Sequence, residues 1–274
     1  MRRIRPYVLL LLCTCSALLG CSEDEPLVLL FSLDDDIQLG KQLQAEILND
    51  PSAYPLLSKT QYRKSYRYLE DMRDNILASE RIKYKDTFDW TLNIIDDNET
   101  LNAFVAPGGY IYVYTGLIHF LENEDDLAGV LGHEIAHADR RHTSRQLQKQ
   151  FGIQLLLDIL TGDKEESLVG VLGTIAGSVN TLRFGQKLES EADEYSVYYL
   201  AHTKYACNGA AAFFQKLISN PNYEEDTGLA AFLSTHPPSS KRVEDINNQA
   251  QKENCSTKLC NDCSYQGFKK TLPQ

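Results

Sequence analysis

Leu131-Gly132-His133-Glu134-Ile135-Ala136-His137 is the stretch on which the reading of this chain turns. On an α-helix, residues four apart lie about 40° apart around the axis, so His133 and His137 share a face and can reach one ion. Glu134 sits about 100° from His133, close enough to act on a molecule held by that ion without binding the ion itself. The residues before it make a helix start. Asn123 is a favourable N-cap, and Glu124, Asp125 and Asp126 fill the first turn, where the helix dipole favours acids.

His-Glu-x-x-His on a helix is a zinc-binding pattern in which the Glu serves as general base. At this His and Glu content, chance produces it in only ~1 of 100 such chains. The third ligand decides the class. A His six residues beyond His137 would be one solution, but position 143 is Thr. His142 falls about 180° from His133 if the helix continues, so it is expected to face away, in a structural or surface role. A carboxylate from a second helix remains. About fifty residues on, Glu189-Ser190-Glu191-Ala192-Asp193 offers Glu189 and Asp193 on one helical face. Glu189 is expected to complete a His₂Glu site for one Zn²⁺ per chain, with one position open. Asp193 is expected to accept the free ring N–H of a ligand His. Glu191 points to the far side and is the weaker candidate.

The rest of the composition suits one medium domain, or a domain with a tail: 274 residues, 43% hydrophobic and 24% charged. The formal net charge is −11, and no Lys/Arg cluster offers a nucleic-acid footprint. Arg2, Arg3 and Arg5 precede a short apolar run, Tyr7 to Leu19, which reads as an export signal over 1–20. It ends Leu18-Leu19-Gly20-Cys21, similar to a bacterial lipobox although Leu19 stands where a smaller residue is usual. Acylation of Cys21 would anchor the chain to a membrane, with 21–35 as tether, and removal of 1–20 with its three arginines would make the mature charge −14. Ser22, in place of an Asp, weakly favours the outer membrane. An exported chain keeps disulfides. Any full pairing of Cys207, Cys255, Cys260 and Cys263 ties Cys207 to the tail, 251–274; a four-Cys zinc site is the alternative.

The periodicity predicts several helices and a small sheet of short, partly antiparallel strands. Helices are expected over 37–48, 55–78, 186–202, 208–218 and 239–250. Strands are expected over 88–95, 102–106 and 110–114, the last two joined through Pro107-Gly108-Gly109. The apolar runs 146–160 and 168–179 are read as buried core helices rather than membrane-touching ones, since both fall short of a spanning length. The catalytic domain is set at 36–250.

In ordered combination these motifs resemble the gluzincin peptidases that include HtpX, the prenyl-protein CAAX endopeptidase, and periplasmic and lipoprotein members such as BepA and LoiP. The carrying residues are Asn102-Ala103-Phe104, Gly109 to Leu117, Leu131 to His137, Glu189 to Asp193, and Thr235-His236-Pro237-Pro238-Ser239. Gly185-Gln186 departs from the family's usual Ser-Arg. The resemblance implies an α+β fold, mainly α-helical, with a small mixed sheet beside the His-Glu-x-x-His helix, and in it an edge strand near 108–114, with Gly108, Gly109 and Tyr110, that pairs with substrate backbone. It implies zinc-assisted peptide hydrolysis with Glu134 as base, and His236 or Arg140 as oxyanion donor. His236 could instead fill the open zinc position and keep the site latent. Protein substrates at the cell envelope follow as partners; a zinc-binding lipoprotein that holds clients without cleaving them is the alternative.

Overall fold

The computed structural model describes residues 28–161, 166–219, 229–260 and 264–274. The export signal, Cys21, the acidic loop at 223–227 and Cys263 lie outside these residues. The architecture is α+β and mainly helical, built on one three-stranded mixed sheet.

Helix α1 (Leu33–Asn49) starts with a capping box: Ser32 Oγ accepts from Asp35 N–H, and the Asp35 carboxylate accepts from Ser32 N–H. Helix α2 covers only Arg63–Leu77. The chain before it is drawn off to the sheet, where Leu57 N–H donates to Ile94 O and Leu56 bridges Ile95, so sheet pairing overrides the helical pattern expected from residue 55. Strand β1 is likewise short, Leu92–Ile95, because Trp90 takes a left-handed φ of 45° that ends the extended run.

Strand β2 (Ala103–Ala106) turns through Gly108 and Gly109, both at positive φ, into β3 (Tyr110–Tyr114). The strand order is β1-β3-β2, with β1 parallel and β2 antiparallel to β3. The expected edge position of 108–114 is therefore incorrect: β3 is the central strand, hydrogen-bonded on both sides. The reason is non-local, since β1 crosses over to pair with β3 instead of its sequence neighbour.

After α3 (Thr115–Phe120) comes α4 (Glu124–Asp139), capped by Asn123 and buried along its whole length. Helix α9 (Gly209–Ser219) crosses it in backbone contact, for a Cβ on Gly129 would lie 2.1 Å from Ala210 N. Helix α8 (Gln186–Leu200) packs along another side of α4, and α11 (Ser240–Glu253) covers α8 and α9. Between them run α5 (His142–Phe151), α6 (Ile153–Thr161), α7 (Glu166–Val179) and the short α10 (Ala230–Thr235).

Leu156, Ile159, Ile175 and Val179 from α6 and α7 join Leu39, Leu43, Phe104 and Tyr112 in a second core, so these helices serve packing. No helix among the described residues is long and apolar enough to cross a membrane. The Cys-containing tail is stitched into the body. Cys207 and Cys255 are disulfide-bonded, and Tyr265 and Phe268 of α12 (Ser264–Lys269) enter the main core, Phe268 stacking on Tyr68.

Candidate metal centre

The end of α4, the start of α8 and the turn after α10 meet at one buried point. His133 and His137 project from α4, and their Nε2 atoms lie 3.0 Å apart. The Glu189 carboxylate comes in from the first turn of α8, with Oε1 at 3.3 Å from His137 Nε2 and Oε2 at 3.6 Å from His133 Nε2. His236, the C-cap of α10, turns Nδ1 to within 3.0 Å of Glu189 Oε1 and 3.3 Å of His133 Nε2. One donor atom from each of these four residues lies within 4.8 Å of the others, and all four side chains are buried.

That donor set fits a metal ion. Three imidazole nitrogens and a carboxylate converge, a combination suited to zinc. Glu134 stands beside them, with Oε1 at 3.5 Å from His236 Nε2 and without a hydrogen-bond partner although fully buried. A buried orphan acceptor is costly unless the functional state supplies its partner. Burial raises the Glu134 pKa above the usual carboxylate range. At Glu189 burial acts in the same sense but is overcome by His236, His133 and His137, which hold it well below that range.

The supporting contacts also converge. His133 Nδ1 is 3.0 Å from Asp193 Oδ1. Arg242, one turn into α11, donates from Nε and Nη2 to the two Asp193 oxygens at 2.6 and 2.7 Å. Its Nη1 reaches Glu189 Oε2 at 2.8 Å and Pro237 O at 3.0 Å, and its guanidinium lies 4.1 Å from the Phe214 ring centre. A single buried arginine thus fixes the carboxylate among the donors, the carboxylate behind His133, and the turn that carries His236.

The sequence matches the profile of peptidase family M48 over residues 64–250. The chain belongs to peptidase family M48. That match runs from α2 into α11 and contains all four converging residues together with Glu134, Asp193 and Arg242. Among curated relatives, the mitochondrial metalloendopeptidase OMA1 of Schizosaccharomyces pombe is 28% identical over 217 residues, covering 78% of this chain and 61% of the relative. The beta-barrel assembly-enhancing protease of Escherichia coli K12 is 28% identical over 234 residues, covering 80% and 44%. OMA1 of Saccharomyces cerevisiae is 27% identical over 235 residues, covering 83% and 64%. The chain spans less than two thirds of the length of each.

Several expected positions of this M48 chain are revised. Gly108 and Gly109 form a turn against α1 and Trp90, and the Tyr110 hydroxyl donates to Asp89 at 2.5 Å, so all three serve the hairpin. The strand edge beside α4 belongs to β2. Arg140 is held away from an oxyanion role by Glu191 at 2.7 Å and by stacking over Tyr195 at 4.3 Å. His142 does not face away. The helix ends at Arg140, Arg141 takes a left-handed φ of 59°, and α5 begins with the His142 ring folded back onto His137. Angles counted along a continuous helix do not apply beyond that break.

Two contributors carried no sequence signal. Arg242 belongs to no spacing pattern with the ligand helices. Phe184, in the segment before α8, lays its ring 4.0 Å from that of His137 and stacks with His236 at 5.8 Å. Arg183 beside it donates to Ser234 O at 2.8 Å, which closes this segment against α10.

Proposed function

We propose that this chain is a zinc-dependent endopeptidase of the bacterial cell envelope, with His133, His137 and Glu189 as zinc ligands and Glu134 as general base. The convergence of those three donors beside a buried Glu134, whose Oε1 has no hydrogen-bond partner, supports it most directly. When bound, zinc supplies Lewis-acid polarisation of the scissile carbonyl and lowers the pKa of the attacking water. Glu134 takes that water's proton and delivers it to the leaving amine. Asp193 holds the His133 ring, and Arg242 holds Asp193 and Glu189. His236 fills a fourth donor position in this closed arrangement, and Phe184 lies over the donors, which favours latency until both move.

The envelope address rests on Arg2 to Cys21 and on the Cys207–Cys255 disulfide, which suits an oxidising compartment. The proposed anchor is acylated Cys21 in the outer membrane, and the substrates are misfolded or outer-membrane proteins. The test is zinc content and casein cleavage for the protein beside Glu134→Gln and Glu189→Ala. The expected result is one zinc per chain, cleavage lost in Glu134→Gln with zinc kept, and zinc lost in Glu189→Ala. A folded protein without zinc would overturn the proposal. Cellular function retained in Glu134→Gln would replace it with non-proteolytic client binding.

A further inference from the structure

His137 turns Nε2 toward the metal donors, and its other ring nitrogen meets another imidazole. His137 Nδ1 lies 3.1 Å from His142 Nδ1, and His142 Nε2 lies 3.4 Å from Glu191 Oε2. Glu191 Oε1 accepts from Arg140 Nε at 2.7 Å. His142 is fully buried. A neutral imidazole carries one N–H. If Nε2 of His137 gives its lone pair to an ion, the proton sits on Nδ1, and His142 Nδ1 is the acceptor in reach. His142 then carries its own proton on Nε2, aimed at the Glu191 carboxylate. Donation runs one way, from His137 to His142 to Glu191, and Arg140 fixes the last member.

We propose that His142 and Glu191 are positioning residues for the zinc ligand His137, a two-member relay that sets its tautomer and ring orientation. The inference rests on the metal-centre reading above and extends it to the second histidine ligand. The arrangement parallels the other side of the centre, where His133 is backed by Asp193 and Asp193 by Arg242. Both backing carboxylates stand on α8. Asp193 shares the Glu189 face and reaches its histidine directly, whereas Glu191 lies about 200° around the helix from Glu189 and cannot. The His142 ring spans that gap. Arg141 makes this possible: its guanidinium pairs with Asp36 at 2.5 Å and donates to Phe31 O and Ser32 O at 2.8 Å, holding the left-handed turn that folds His142 back. The Glu189-Ser190-Glu191-Ala192-Asp193 segment therefore supplies one ligand and both outer anchors.

The experiment compares the full chain with His142→Ala, His142→Asn and Glu191→Gln. Zinc affinity is read by competition with a chromogenic chelator, and the centre by the visible spectrum of the cobalt-loaded protein. Asn places an acceptor oxygen near the position of His142 Nδ1. The relay predicts zinc binding roughly 10–100-fold weaker in His142→Ala, with a shifted cobalt spectrum, and a smaller loss in the same direction in Glu191→Gln. It predicts recovery in His142→Asn to within about threefold of wild type. Wild-type zinc affinity and spectrum in His142→Ala, or Asn no better than Ala, would overturn the relay while leaving the metal centre standing. Absence of zinc from the wild type would overturn both. If His142→Ala does not fold, Glu191→Gln and His142→Asn decide: a loss in the first with the second near wild type supports the relay, and no loss in the first overturns it.

Discussion

Replacing Arg242 with methionine should destabilise the metal-free protein by about 3–5 kcal/mol, the usual consequence of breaking a buried ion pair from one side. The structure sets the scale. Arg242 makes three charged contacts, at 2.6 and 2.7 Å to Asp193 and 2.8 Å to Glu189, all among buried groups. Hydrogen bonds to charged groups contribute about 1.5–3 kcal/mol each, but the two to Asp193 and the ion pair to Glu189 share one guanidinium and are not additive. Methionine retains the packing on Phe214, so the loss reports the charge. For a chain of this size the melting temperature should fall by about 6–20 °C. Arg242→Lys keeps the charge but not the fork, and should fall between wild type and Arg242→Met. The assay is urea unfolding with and without zinc. Added zinc should shrink the deficit, because a cation beside Glu189 takes over part of the lost compensation. A metal-free Arg242→Met protein within about 1 kcal/mol of wild type, at unchanged m-value, would refute the view that this arginine holds both carboxylates as charges.

Reducing the Cys207–Cys255 disulfide, which spans 48 residues, should lower stability by about 4 kcal/mol on loop entropy, measured against Cys207→Ser/Cys255→Ser. His142, with Arg140 assisting against burial, lowers the Glu191 pKa from 4.5 to about 2. A depressed carboxylate stabilises fully above 4.5 and loses that contribution as pH falls through about 2. Metal-free Glu191→Gln should therefore be less stable than wild type near pH 6, by roughly 1–2 kcal/mol once solvent screening of this partly exposed carboxylate is allowed for, with the gap closing toward pH 2 in denaturant titrations. Phe184→Ala should speed chelator removal of zinc and raise casein cleavage, at a stability cost of roughly 1–2 kcal/mol for a half-buried ring; an unchanged stripping rate would show that the ring does not cover the centre.

The local patterns in this chain were readable and the long-range ones were not. Asn123, the acids after it and the His133–His137 spacing define α4 from within seventeen residues. Glu189 and Asp193 share a face by the same arithmetic. The arithmetic fails at Arg141, whose left-handed backbone is stabilised by Asp36, 105 positions away. No rule of spacing foretells a non-glycine residue there, and without that turn His142 cannot be placed. Arg242 was hidden for the same reason, since Asp193 stands 49 positions away on α8 and Glu189 lies further still. The centre of the sheet was misassigned because hairpin signals report only β2 against β3. The parallel pairing of β1 with β3, and the bridge from Leu56, are set by the main core beneath them.

Charge balance explains why the centre is built with so few cations. Glu134, Glu189 and Asp193 are buried together, and Arg242 is the one arginine or lysine that touches any of them by an ion pair among the described residues. With neutral imidazoles the group carries an excess of two negative charges. Two members of the group hold protons more strongly than usual, which works against that excess. Burial pushes Glu134 toward its neutral acid, and Asp193 and Glu189 outweigh burial at His133 to raise its pKa to about 9. A dication held there would need the His133 lone pair, so His133 would give up its proton, and the added positive charge would favour the ionised form of Glu134 that a general base requires. A second arginine would ionise Glu134 without metal, but it would also occupy the charge balance that draws the ion in. With Arg242 as its one fixed cation, the cluster thus keeps a negative excess that a bound dication would balance.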